Sequence, residues 1–224
     1  MKNKKVLLLI ICLIVTIIII FLIKNNYKNA KFGNNISNKS ADEIKNYILN
    51  IESYKAVATI TIKSNKNENT YKVEQKFNKE NNQYKQEIIE PENIKGVQFT
   101  YDGNTLKIEN TKLNLHKIYS NYNYINSNQL SLISFIEDYK QNPNSNIKEE
   151  NNIIILETDS SLANQYVAHK KLYINREKNK IEKMEIQDMT QNTKIYILYN
   201  EIEINETQNE EIVAFSIYAY DKDI

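Results

Sequence analysis

The chain has 224 residues, of which 41% are hydrophobic and 25% charged; 29 Lys and Arg nearly cancel 28 Asp and Glu, for a formal net charge of +1. This balance offers no basic excess to hold a phosphate backbone, so nucleic acid is excluded as an expected partner. Three Gly, two Pro and a single Cys leave no material for a collagen, a glycine-rich phosphate cradle, a disulfide framework or a thiolate zinc site. Ile and Asn together make up about a third of the chain, and Arg176 is the only Arg. A skew of this kind reflects genome composition more than function.

Residues 1–5 are a basic n-region, with Lys2, Lys4 and Lys5. Val6 to Ile23 then runs 18 residues without a charge. As a helix it would reach about 27 Å, enough to span the hydrocarbon of a bilayer. The basic residues ahead of it favour an inside N-terminus, a single pass and an exported remainder. No small-residue cleavage site follows, so the run reads as an uncleaved transmembrane anchor. Cys12 is the candidate for lipidation, but Ile10-Ile11 precedes it where a small residue is needed, and the apolar run continues beyond it. As an intramembrane residue it acts as a small hydrophobe. Residues 24–40 are polar and read as a flexible stalk, and residues 41–224 as one domain. Without residues 1–23 the chain holds 26 basic and 28 acidic residues, because that stretch carries three Lys and no acid.

Ser40-Ala41-Asp42-Glu43 is a capping-box pattern, and Ile44, Tyr47, Ile48 and Ile51 follow at helical spacing. The period then changes to two. Ala56, Ala58, Ile60 and Ile62 predict one strand, and Tyr71, Val73, Gln75 and Phe77 the next. Further strands are predicted at Gln83 to Ile89, Val97 to Tyr101, Thr105 to Glu109 and Leu113 to Tyr119, with Asp102-Gly103 supplying the left-handed positions of a hairpin. A second helix is predicted over Asn128 to Tyr139, capped by Ser127 or Asn128 and closed by Pro143. Strands resume at Ile153 to Thr158, Tyr166 to Asn175, Ile181 to Asp188, Lys194 to Ile204 and Ile212 to Tyr220. Some 10–11 antiparallel strands covered by two helices make an α+β architecture, an incomplete barrel or strongly curved sheet.

Chemistry is sparse. His116 and His169 are the only histidines, each in a strand pattern with no cysteine or second histidine beside it, which fits surface residues better than ligands. Neighbouring glutamates such as Glu149/Glu150, Glu201/Glu203 and Glu210/Glu211 read as solvated faces, since a catalytic pair needs environments that separate its pKa values. The 16 tyrosines fit either a ligand groove or ordinary strand formation. No catalytic, cofactor or metal residue is assigned, and an enzyme is not expected.

The stretch from Glu90 to Asn110, with Pro91, Gly96 and the strand end Tyr101-Asp102-Gly103, resembles the LolA-like lipoprotein-carrier family, in which a Pro closes one strand and Tyr-Asp-Gly turns into another. Leu172 to Asn175, Lys180 to Glu185 and Tyr199 to Ile204 resemble the later strands of that family, and the similarity runs over residues 41–220. Within it the chain most resembles the clostridial germination lipoprotein GerS and its relatives, on Pro91, Gly96 and Asn110-Thr111-Lys112-Leu113. The resemblance implies a curved antiparallel β half-barrel displayed outside the cytoplasmic membrane, in the forespore or spore envelope. It also implies a non-enzymatic role in germination, supporting an N-acetylmuramoyl-L-alanine amidase (CwlD-like) that modifies cortex peptidoglycan. The alternative is a carrier or sensor of lipid or acyl ligands in the half-barrel cavity. A homodimer is left open.

Overall fold

The computed structural model describes residues 36–205, apart from 37, 65 and 123–127. The expected anchor with Cys12, most of the stalk, the cap candidate Ser127 and the strand predicted at Ile212 to Tyr220 lie outside the described residues. Among the described residues no helix is long and apolar enough to cross a membrane.

Helix α1 spans Ala41–Leu49 and starts as its sequence dictates: Ser40 Oγ accepts from the Glu43 amide at 3.2 Å, and Glu43 Oε2 accepts from the Ser40 amide at 2.7 Å. Its apolar side buries Ile44 and Ile48, and Ile51 is buried just beyond its end. Six strands follow: β1 Ser53–Lys63, β2 Glu68–Asn78, β3 Gln83–Glu90, β4 Gln98–Tyr101, β5 Leu106–Asn110 and β6 Leu115–Tyr119. After α2, Leu132–Gln141, come β7 Asn146–Glu150, β8 Ile153–Asp159, β9 His169–Asn175, β10 Lys180–Gln187 and β11 Thr193–Ile204.

All eleven described strands form one curved, open, antiparallel sheet in the order β6-β5-β4-β3-β2-β1-β11-β10-β9-β8-β7. The chain builds outward from the centre to β6, crosses by way of α2 to the far edge, and builds back inward until β11 lies against β1. Register places Leu156, Leu172, Met184, Ile197 and Ile60 side by side across five strands, all buried. Tyr84, Phe77, Tyr54 and Ile204 make a second buried row, with the Tyr54 and Phe77 rings 5.9 Å apart. Each fully buried side chain of this kind contributes roughly 1.5–3 kcal/mol of apolar transfer. Helix α2 packs on β8, and α1 touches α2 and β7.

One local expectation is corrected and one strand appears that the sequence did not announce. Helix α2 is capped by Ser131, whose Oγ accepts from the Ser134 amide at 3.1 Å. Asn128 instead closes a preceding turn, its carbonyl accepting from the Ser131 amide and hydroxyl. That turn places the Leu130 carbonyl 3.5 Å from Gln75 Nε2, tying the helix entry to the sheet and postponing the first helical turn. Strand β7 had no sequence signal, because Asn-Ile-Lys-Glu-Glu lacks alternation. It lies at an edge with only Ile147 half-buried.

Candidate interaction surface

The residues that carry the family resemblance brace β4 from both ends. Pro91 follows the last residue of β3 and opens a short 3-10 turn, Glu92–Ile94. Gly96 takes φ +79°, and its amide donates to the Ile88 carbonyl at 2.8 Å. Asn110 ties this connection to the next turn, donating from Nδ2 to the Lys95 carbonyl at 2.9 Å and accepting from the Leu113 amide at 3.0 Å. At the far end of β4 the Tyr101 hydroxyl donates to the Gly103 carbonyl at 2.7 Å. Asp102 Oδ1 accepts from the amides of Asn104 and Thr105. Of the Asp102-Gly103 pair only Gly103 is left-handed, at φ +96°; Asp102 acts through its carboxylate as an Asx turn. Pro91 and Gly96 lie at one end of β4 and Tyr101, Asp102 and Gly103 at the other, so the five form no common site.

A Cβ at position 103 would stand 3.0 Å from Asn82 Nδ2 in a backbone conformation that L side chains rarely adopt. Gly103→Ala is therefore expected to cost about 1–3 kcal/mol, a thermal midpoint lowered by several degrees with the binding surfaces intact. An unchanged melting curve would remove Gly103 from its bracing role.

The two edges of the sheet differ. On β7, Lys148 reaches across to Glu157 at 2.6 Å, and Glu149 accepts from Arg176 at 2.7 Å, so the edge is covered with paired charge. On β6, Ile118 is 51% exposed beside exposed Tyr119, and Leu113 is exposed in the turn before it. The Tyr119 and Tyr122 rings lie 6.0 Å apart. Among the described residues β6 is thus a sheet edge that adds exposed apolar and aromatic side chains to exposed Lys117 and the His116–Glu109 pair, and such anchors beside an edge are what strand addition uses.

The two histidines are in opposite halves of the sheet. His116 Nδ1 lies 3.0 Å from Glu109 Oε1, and His169 Nδ1 lies 2.5 Å from Asp159 Oδ1. His169 lines a polar cleft of about 230 Å³ with Asn146, Lys171 and Gln187, smaller than the usual small-molecule pocket. Among the described residues no group of three or more His, Cys, Asp or Glu is placed to hold a metal ion.

Sequence reasoning missed one buried pair. Lys170, fully buried, lies with its Nζ 2.6 Å from Asp138 Oδ2 of α2 and donates to Ser134 Oγ at 3.0 Å. Asp138 Oδ1 also accepts from the Ser161 amide and hydroxyl. The signal was there: Lys170 falls on the same alternate positions as Leu172 and Ile174, the inward phase of β9.

The β10–β11 turn is organised by Asp188. Its Oδ1 accepts from the Thr190 hydroxyl and amide and the Asn192 amide, and Oδ2 lies 3.1 Å from Lys194 Nζ. The Thr190 hydroxyl bond first, then the backbone bonds and Lys194, hold its carboxyl down at about 2. Because the folded value lies below the unfolded one, the stabilisation is complete above the ordinary Asp range and is lost as pH falls towards 2. Thermal midpoints of Asp188→Ala and the parent chain are expected to differ at pH 6 and to converge towards pH 2; a gap constant with pH would contradict this.

Several solved structures are similar to the chain. One chain from the structure of the complex between the CwlD amidase and the GerS lipoprotein of Clostridioides difficile matches at 26% identity and a TM-score of 0.46, over 70% of this chain and 89% of that one. A LolA superfamily protein from Nitrosomonas europaea matches at 14% identity and 0.40, over 75% and 94%. An uncharacterized conserved protein from Thermus thermophilus matches at 11% and 0.48, over 75% and 90%. The neighbours thus include the groups that the sequence resemblance named. No curated protein matches the chain. The profile of the sporulation protein YdcC-like family, however, matches residues 3–213, nearly the whole length, and the chain belongs to that family.

Proposed function

We propose that this is a membrane-anchored, extracytoplasmic binding protein of spore formation and germination that holds a cortex peptidoglycan amidase against the β6 edge. The observation that carries it is a contrast between the two edges of the described sheet: the exposed side chains of β7 are all polar or charged, while β6 adds exposed Ile118 and Tyr119, with Leu113 in the turn before it, to its Lys117 and His116. The family points to the sporulation setting, and the amidase bound to GerS supplies the partner class to test. The apolar run Val6 to Ile23 supplies the tether, and the partner supplies the chemistry.

The test is co-elution of the full chain in detergent with a purified N-acetylmuramoyl-L-alanine amidase. Ile118→Asp is expected to weaken the complex about tenfold or more, since a buried charge would replace an apolar anchor. Clean separation of the parent proteins at micromolar concentration would sink the proposal. For the tether, Cys12→Ala is expected to leave membrane retention unchanged.

One observation favours an acyl ligand instead. Ile88, Phe99 and Ile108 lie on the inward phase of β3, β4 and β5 yet are only half-buried. A stoichiometric lipid in mass spectra of the extracted protein would support that reading, although a permanent tether argues against shuttling between membranes.

A further inference from the structure

The two ends of the sheet carry different side chains. Strand register puts the β2–β3, β4–β5, β7–β8 and β9–β10 turns at one end, and their residues 79–82, 102–105, 151–152 and 176–179 include no apolar side chain, the exposed aromatics there being Tyr119 and Tyr122 where β6 ends. The β1–β2, β3–β4, β5–β6, β8–β9 and β10–β11 connections lie at the other. There Leu113, Leu162, Tyr166 and Met189 stand exposed, the last two at 63% and 64%.

These tips are held in place. Asn164 Oδ1 accepts from the amides of Tyr166 and Val167, Ser160 Oγ accepts from the Leu162 amide, and the Asp188 turn presents Met189. The amide of Ala168 donates to the Gln187 carbonyl at 2.8 Å, so the two loops emerge side by side. Neither loop contains a charged residue between Ser160 and Ala168 or between Met189 and Thr193. Apolar side chains exposed on a backbone held in this way are a standing cost unless something covers them.

The charges at this end indicate what does. Each carboxylate near the turns has a partner of its own: Glu68 with Lys63, Glu90 with Lys72, Glu92 with Lys95, Asp159 with His169, and Asp188 with Lys194. Lys66 and Lys112 are exposed at the tips of their turns. Apolar side chains at the tips, with exposed lysines on other turns and the nearby acids each in contact with a basic side chain, suit a surface that is apolar inside and anionic at its boundary.

We infer that this end of the sheet, through Leu162, Tyr166 and Met189, with Lys66 and Lys112 exposed on other turns of the same end, docks on the surface of an anionic lipid bilayer. The docking is carried by the β8–β9 and β10–β11 loops, which are not on the β6 edge although Lys112 and Leu113 precede β6, and it draws on the tether proposed above only to keep lipid nearby.

The chain contains no Trp, so a single introduced one reports alone. Met189→Trp is compared with Leu198→Trp, on an exposed strand position away from these loops, in the full chain mixed with vesicles of phosphatidylcholine alone or with phosphatidylglycerol. The expected result is a blue shift of Met189→Trp and its quenching by brominated acyl chains in anionic vesicles, with Leu198→Trp unchanged. Lys66→Glu and Lys112→Glu are each expected to reduce the anionic response about fivefold or more. Emission of Met189→Trp that tracks Leu198→Trp on vesicles that have captured the chain would overturn the inference. So would a blue shift that needs no vesicle and grows with protein concentration, which assigns the surface to a second copy, or one that follows added amidase instead of lipid. Flotation of the unaltered chain reports the anchor, and co-elution the amidase, so each reading fails on its own measurement.

Discussion

Lys170→Met is expected to lower the free energy of unfolding by about 3–5 kcal/mol, because it strands the Asp138 carboxylate, 3% exposed, without its cation. Burial already pulls the Lys170 ammonium below its ordinary range, against the opposing pull of Asp138, which shows how far desolvation offsets the attraction. The pair therefore fixes geometry more than it adds stability. Lys170→Met combined with Asp138→Asn removes both charges and keeps an acceptor for the Ser161 amide and hydroxyl. The double variant is expected to recover most of the loss in urea titrations. A single variant as stable as the parent would show that α2 is not held to β9 by this pair.

Phe135→Ala is the second large effect. Phe135 is fully buried on α2, its ring 6.0 Å from that of Tyr139, with Leu132 and Ile136 buried beside it. Truncation removes the transfer free energy of the ring and leaves a cavity, together about 3–5 kcal/mol. Leu198→Ala, at a half-exposed strand position, serves as the control and is expected to change stability little. Equal losses in the two variants would mean that α2 does not seal the sheet.

The strands with one clean alternating face were readable from the chain: β1 buries Tyr54, Ala56, Ala58 and Ile60, the phase its sequence announces. Helix α1 was readable down to its cap, since a capping box is a local device needing nothing from the rest of the fold. What could not be read depends on distant partners. Ser131 and Asn128 are equally good caps in isolation, and in the fold Asn128 closes a turn on Ser131 while Leu130 meets Gln75 of the sheet. β7 exists because β8 is there to pair with. The contrast between the two edges, and between the two sheet ends, requires the strand order, which no local pattern carries.

That order has a consequence for how the domain holds together. Nine of the ten pairings among the described strands join consecutive strands, closed by short connections apart from the β8–β9 loop; the exception is β1 with β11, where Thr59 donates to Asn200 across 141 residues. Almost all the entropy of long-range loop closure therefore falls on this one seam. Two ribbons, β1–β6 and β7–β11, can each set their own register, but neither alone buries the row that runs from Leu156 to Ile60. Whether the chain behaves as one cooperative unit or as two halves is decided at the centre of the sheet, far from either of its edges.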